Sequence, residues 1–358
     1  MTTIQGMPNL GPGLRLHLNE NTAGCSPQVL AAIRSVSAED VSTYADYEGA
    51  VRDTAAYLGI DPDWLILTNG LDEGLLLAAI AFLLPKAPAA LVELGASPVA
   101  PSGQAEQILM LPTFEPYVIN AKALGARTVA IPCGPDFRFP VDAVLAAVGP
   151  NTRLVYVNTP HNPSGVPVAE ADIRRVIEKA GHAVVFIDEA YHDFHGVNHL
   201  HLAREYPNVL VGRTFSKAYG LAGMRIGVVI GPPALLAPMR FVMPLFNLNS
   251  VAVAALRAAL ADSEFLPWYV AQARESKARL YAALERLGLR YWNSASNFVL
   301  VDGGARAPEL IAGMIAGGVL VRDRGQEHNC ANCFRVTTGL VEHTDAAIAL
   351  LEALCAKR

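Results

Sequence analysis

The sequence predicts an α/β fold, with a mainly parallel central sheet, helices on both faces and a smaller α+β domain after it. Three observations lead there. Short β-rich runs alternate with helical patterns through the middle of the chain. The texture changes after about Val251, where long helical stretches take over. Four polar clusters stand just past predicted strand ends, where such a sheet binds ligands.

The strand-like runs are Trp64–Leu67, Arg153–Val157, Ala183–Ile187, Val209–Val211 and Ile226–Ile230. Between the second and third, Ile173, Val176, Ile177 and Ala180 fall at i, i+3, i+4, i+7 within Val168–His182, the period of an amphipathic helix. Leu75 to Leu84 is the longest apolar run, closed by Glu73-Gly74 and Pro85-Lys86. It is about half of the roughly 20 residues that span a bilayer, so a buried helix is expected. Ser26-Pro27 reads as an N-cap with proline at the first helical position, opening a helix through Val36. Beyond Val251, a helix over Leu266–Leu287 leads to a strand at Ser296–Val301. A helix at Ala307–Ala316, strands at Val319–Arg322 and Phe334–Thr337 and a closing helix follow. The expected division is 1–35 as an N-terminal arm that joins the small domain, 36–255 as the large domain and 256–358 as the small one. Pro85 to Leu109 shows no period and reads as a loop with one short strand, Ala90–Leu94.

Composition bounds the function. The chain has 358 residues, enough for a large core. It is 52% hydrophobic with mean hydropathy +0.29, which suits a deep core or a surface covered by a second subunit. Net charge is −5 with no basic run, so nucleic acid is not an expected partner. Met1 to Leu10 lacks the basic start and apolar stretch of a signal peptide. The five cysteines are sparse and odd in number, which suits a reducing cytoplasm.

The polar clusters carry the chemistry. Thr68-Asn69-Gly70-Leu71-Asp72-Glu73 is a turn into the apolar helix; it is either an ordinary capped turn or a phosphate cup, since a helix start offers free N–H groups. Asn158-Thr159-Pro160-His161-Asn162-Pro163-Ser164-Gly165 fixes an irregular backbone with two neutral hydrogen-bonding side chains. Asp188-Glu189-Ala190-Tyr191 places a carboxylate at a buried strand end, where it needs either a cation or a helix to cap. Thr214-Phe215-Ser216-Lys217 leads to Arg225, setting one lysine among hydroxyls and small residues. A lysine amine attacks carbonyls only when deprotonated, and burial favours that form. The other lysines, Lys86, Lys122, Lys179, Lys277 and Lys357, stand in ordinary helical or loop contexts. A phosphate cup, an acid for a ring nitrogen, an Asn and a Tyr for a ring hydroxyl and an imine-forming lysine are together what pyridoxal 5'-phosphate requires.

The order Asn-x-Pro-x-Asn-Pro-x-Gly, Asp-Glu-Ala-Tyr, Ser-Lys-x-x-Gly-Leu-Ala-Gly-x-Arg resembles class I/II aminotransferases over most of the chain. Within them it is most similar to the histidinol-phosphate subfamily, through Leu18-Asn19-Glu20-Asn21, Val321-Arg322-Asp323 and Phe334-Arg335-Val336-Thr337-Thr338-Gly339. The resemblance implies the fold-type-I pyridoxal-phosphate architecture and a ping-pong amino transfer to 2-oxoglutarate. It implies that Lys217 holds the cofactor as a Schiff base and moves the proton. Asp188 would meet the ring nitrogen, Tyr191 and Asn162 the ring hydroxyl, and Phe114 would stack on the ring. Gly70, Leu71, Asp72, Thr214, Ser216 and Arg225 would hold the phosphate, with Tyr44 reaching across from a partner subunit of a homodimer. Arg335, Arg322 and Asn21 would bind substrate, and Arg324 could substitute for Arg322.

Other readings share the scaffold: another amino acid's aminotransferase, a threonine-phosphate decarboxylase-like or amino-acid-oxidising enzyme, or a non-catalytic sensor. Relatives follow the first large-domain helix with a compact Pro-Gly-Asp turn, and Pro85 to Leu109 departs from that. Cys330-Ala331-Asn332-Cys333 lacks the second pair of a zinc site, and no metal is expected. His192, His195, His199 and His201 read as a hydrated loop.

Overall fold

The computed structural model describes residues 12–84 and 103–356. The expected strand at Ala90–Leu94 lies outside these. The central sheet has seven strands: β2 (Leu65–Asn69), β3 (Glu106–Leu111), β4 (Arg127–Pro132), β5 (Thr152–Asn158), β6 (Val184–Asp188), β7 (Val209–Thr214) and β8 (Ile226–Ile230). β1 (Leu14–Arg15) lies apart, in the arm. The order across the sheet is β2-β8-β7-β6-β5-β3-β4. β3 to β7 run parallel, while β8 runs against both β7 and β2. The link from Thr214 to Ile226 holds only a short 3-10 turn, Ala222–Met224, and no crossover helix; the chain turns back and leaves Lys217 in the bend.

Both faces of the sheet are buried, as parallel sheets require. Alternation divides each strand between them. Val155, Val157, Val185 and Ile187 pack on one side with Ile173, Val176 and Ile177 of the helix Glu170–Lys179. Leu154, Tyr156, Phe186, Leu210 and Val229 pack on the other with Leu71 and Leu75. The expected apolar helix is Leu71–Leu83, buried along most of its length.

β3 begins inside the segment read as a loop. Its first residues are polar, which hid it. Glu106 is paired with Arg127, and the Gln107 amide donates to Tyr117 O at 2.9 Å, so both can be buried. β4 and the helices Glu115–Ala123, Val141–Ala147 and Ser250–Ala261 also went unread.

The C-terminal part forms a second, antiparallel sheet in the order β12-β13-β10-β9, from β9 (Arg290–Tyr291), β10 (Phe298–Asp302), β12 (Arg322–Asp323) and β13 (Cys333–Thr337). β11 (Val319–Leu320) leaves that sheet and pairs in parallel with β1. The single strand expected over Val319–Arg322 is therefore two short ones. Ser26 accepts from Gln28 N and caps a helix at Pro27–Arg34, slightly shorter than expected.

Leu75 is fully buried against the sheet. Leu75→Ala should cost about 2–5 kcal/mol. Urea unfolding would read this as a lower midpoint at unchanged slope.

Candidate active site

The ends of β5, β6, β7 and β8 meet at one corner of the large sheet. Asn158 pairs with Asp188, and Asp188 with Gly212, in register. Thr214 pairs with Gly227, and Asn69 with Ile226. This register brings all four polar clusters together.

Asp188 ends β6 and is 3% exposed. Its Oδ2 accepts from the Tyr117 hydroxyl and its Oδ1 from Ala190 N, at 3.0 Å. Among the described residues no cation pairs with it. Burial pushes its pKa up to about 6, against the pull of those two donors.

The Gly70 corner is built around Arg225. Gly70 has φ +76°, and a Cβ there would lie 2.4 Å from Arg225 Nη2, so only glycine lets the guanidinium pass. Arg225 donates to Ala222 O and to Asp72 Oδ2, at 3.2 and 2.8 Å. A Cβ on Gly227 would meet Leu71 N at 2.5 Å, which shows how closely β8 approaches the helix start. The helix Leu71–Leu83 has no side-chain cap, leaving its first N–H groups for a ligand. The Thr214 hydroxyl accepts from Ser216 N at 3.1 Å, and both residues are buried.

The arm closes the site from above. Lys217 Nζ donates to Leu18 O at 3.0 Å. Asn19 donates through Nδ2 to the Tyr191 hydroxyl at 2.9 Å. Asn21 spends its amide on Ala218 O and Ala23 N, so it fixes the lysine loop to the arm. Arg335, from β13, donates to Asn162 Oδ1 and to His17 O, the latter at 3.1 Å. It is 5% exposed, lies over the Phe298 ring and has no carboxylate partner among the described residues; its Nε has no protein partner. Burial and the charge of Arg324 lower its pKa to about 9. Arg322 faces Arg335 directly across the ribbon. Phe114 precedes the helix that carries Tyr117 and meets that ring edge-on. Tyr44 stands apart, 72% exposed and stacked on Phe246 at 3.6 Å.

The sequence reading gave no individual role to several residues. Tyr117 follows Phe114 by one helical turn, and that spacing could have found it. Asn158 accepts from Asn162 N at 2.7 Å. His161 is buried between Ser164 Oγ and Pro112 O, and burial lowers its pKa to about 4. Two expectations are corrected. His199 is 2% exposed and bonds Glu189, which also pairs with Arg213, so this histidine is buried structure rather than hydrated loop. Lys277 is not an ordinary helical lysine: it donates to Ser294 O and Ser296 O, and burial lowers its pKa to about 8. Cys330 and Cys333 are buried in an apolar cluster with Cys133 and Leu300.

The chain matches the model of the family described as aminotransferase class I and II over residues 11–351. It is 37% identical to a histidinol-phosphate aminotransferase of Symbiobacterium thermophilum, covering 95% of this chain and 90% of that one. A second such enzyme, from Ralstonia nicotianae, is 35% identical over 96% of this chain and 89% of its own. Among solved structures, histidinol-phosphate aminotransferase from Sinorhizobium meliloti in complex with pyridoxal-5'-phosphate aligns at TM-score 0.81 and 30% identity, covering 96% of this chain and 91% of that one.

A buried carboxyl with a raised pKa binds more protons folded than unfolded between its two pKa values. Asp188 should therefore make the cofactor-free protein less stable as pH rises from about 4 through 6, by up to about 3 kcal/mol. Denaturant unfolding of the cofactor-free protein and of Asp188→Asn across that range should show the wild-type fall and a flatter profile in the variant.

Proposed function

The chain belongs to the class I and II aminotransferase family, and on that premise we propose that it is a pyridoxal-phosphate-dependent aminotransferase, taking its amino group from histidinol phosphate and passing it to 2-oxoglutarate. One observation carries the reading: Asp188 and Arg335 are buried charges of opposite sign, and neither has an ion-pair partner among the described residues. The first suits a protonated ring nitrogen. The second suits a substrate anion.

The residues present fit the cofactor. The uncapped helix start at Gly70, Leu71 and Asp72, with Thr214, Ser216 and Arg225, supplies donors for its phosphate. Asp188 would hold the proton on its ring nitrogen. Tyr191 and Asn162 would bond its ring hydroxyl, and Phe114 would cover one face. When bound, the cofactor supplies an electrophilic carbonyl carbon and a conjugated ring that takes up the electron pair of a breaking Cα–H bond.

Lys217 would hold the group through its Nζ. The same amine, when free, would be the base that takes the substrate Cα proton. Arg335 orients the substrate through the anion at its far end, in the fork geometry that guanidinium offers to phosphate and carboxylate. Arg322, opposite it in register, is assigned to the same anion. Serving both donor and acceptor in turn, one clamp suits a ping-pong cycle. Asn21 acts at one remove, holding the lysine loop.

Tyr44 is assigned to the neighbouring subunit's cofactor. It belongs to an exposed apolar surface with Phe246 and Leu245, of which Leu245 is 80% exposed, and such a surface is suited to burial by a second copy. Sedimentation of the cofactor-loaded protein should give about twice the chain mass of 38.1 kDa. A sedimenting species of single-chain mass would overturn the shared site.

With histidinol phosphate and 2-oxoglutarate, purified protein should form glutamate. Lys217→Ala should lose the cofactor's visible band and at least about a hundredfold in turnover. Arg335→Ala should lower kcat/KM by on the order of a hundredfold, mostly through KM. Release of CO2 in place of glutamate would assign the scaffold to decarboxylation instead.

A further inference from the structure

We propose that Tyr117 is a positioning residue for the reaction: its hydroxyl, donating to Asp188 Oδ2, holds that carboxyl ionised and so keeps the shared proton on the cofactor's ring nitrogen. The proposal rests on the reading of Asp188 given above and adds to it the group that stands behind the acid.

A proton shared by Asp188 and a pyridine nitrogen has two places to sit. On nitrogen it leaves a carboxylate beside a cation. On oxygen it leaves two neutral groups. A dry site penalises charged groups more than neutral ones, so burial alone favours the neutral pair. Asp188 is buried, and burial is what lifts its pKa to about 6. Two donors act the other way: the Tyr117 hydroxyl at Oδ2 and, with a smaller pull, Ala190 N at Oδ1. Each carboxylate oxygen keeps a lone pair for a further donor. The charges nearby do not help. Asp72 and Glu189 both raise the Asp188 pKa. Each is itself engaged, Asp72 by Arg225 and Glu189 by Arg213 and His199. Tyr117 is thus the side chain that favours the carboxylate.

Tyr117 is placed to donate. Its hydroxyl hydrogen has no other acceptor among the described residues. Burial, and then the charge of Asp188, raise its pKa well above the usual phenol value, so it stays protonated; Tyr156 and Tyr191 push the same way. Packing holds the ring still. It stacks on Tyr156 with centroids 4.3 Å apart, and Phe114 meets it edge-on at 5.7 Å. The Gln107 amide donates to its backbone carbonyl at 2.9 Å. A donor fixed in this way needs no rearrangement when negative charge settles on Asp188. Phe114 caps the helix Glu115–Ala123 that carries Tyr117, so one helix start brings both the expected ring cover and the partner of the acid. Tyr156 provides the contrast: it is equally buried, but its hydroxyl has no hydrogen-bond partner among the described residues.

The test begins with cofactor-free protein carrying isotope-labelled aspartate carboxyls, titrated by NMR, with Asp188→Asn to assign the signal. Tyr117→Phe should raise the Asp188 midpoint by about one pH unit. Tyr156→Phe, which removes a hydroxyl from the stacked neighbour and leaves the Asp188 bond intact, should leave the midpoint in place. A ring-fluorinated tyrosine at position 117, a stronger donor, should lower it. Protein loaded with pyridoxal phosphate labelled at the ring nitrogen should show a protonated ring in the wild type and a shift towards the unprotonated form in Tyr117→Phe. Turnover of that variant should fall on the order of tenfold with KM nearly unchanged. An unmoved Asp188 midpoint in Tyr117→Phe, or an equal rise in Tyr156→Phe, would overturn the proposal. A ring nitrogen without a proton in the wild type sinks the reading of Asp188 itself, whereas a ring equally protonated in wild type and Tyr117→Phe overturns Tyr117 alone.

Discussion

Two ionisable groups sit where water does not reach them and where only neutral protein groups meet them. Removing a charge from water is costly unless an opposite charge and hydrogen bonds compensate, and neither Asp188 nor Arg335 has the opposite charge among the described residues. Asp188 has a phenol and a backbone amide, and Arg335 an amide oxygen and a backbone carbonyl. These partners orient the charges without neutralising them. The surrounding architecture keeps both groups dry: β6 lies inside a sheet covered on both faces, and β13 sits under the arm and over Phe298. Elsewhere the same strand region compensates its charge fully. Glu189, next to Asp188, has Arg213 and His199, which hold its pKa down at about 2 despite burial.

The arm ties the two groups to the lysine. His17, Leu18, Asn19 and Asn21 each contact a different part of the site, reaching Arg335, Lys217, Tyr191 and Ala218 in turn. A displacement of this short stretch would move Arg335, Lys217 and Tyr191 together. Asn19 takes the left-handed conformation, φ 57°, which Asn tolerates better than most residues, and this turns successive groups in different directions. The Lys217 bend depends in turn on β8 reversing, because a parallel crossover would carry the lysine away from the strand ends.

Much of this was legible in the sequence. Lys217, Asp188, Asn162 and Gly70 each stand in a short run whose own residues define a strand end, so local pattern placed them. Ile226–Ile230 and Ala307–Ala316 were read to the residue, being uninterrupted periodic runs. What was missed depends on contacts distant in the chain. Nothing near Lys277 tells of its two carbonyl partners, and nothing near His199 tells of Glu189's need for a donor. β3 was hidden because Glu106 and Gln107 look like surface residues until Arg127 and Tyr117 are set beside them. Tyr117 was within reach, one turn past Phe114, but its role appears only when Asp188 lies opposite.

The contact of Gly220 with the arm bears on how the molecule comes into being. A Cβ at Gly220 would lie 1.9 Å from Gly24 O and 3.0 Å from Cys25 Cα, so loop and arm fit together with no slack. The arm is made before its partners, which lie some two hundred residues later around Lys217 and over three hundred later at Arg335 and Thr337. Closing loops of that span costs entropy that local structure does not repay. The arm is therefore among the last elements to dock, and the site takes shape only after β13 has been made.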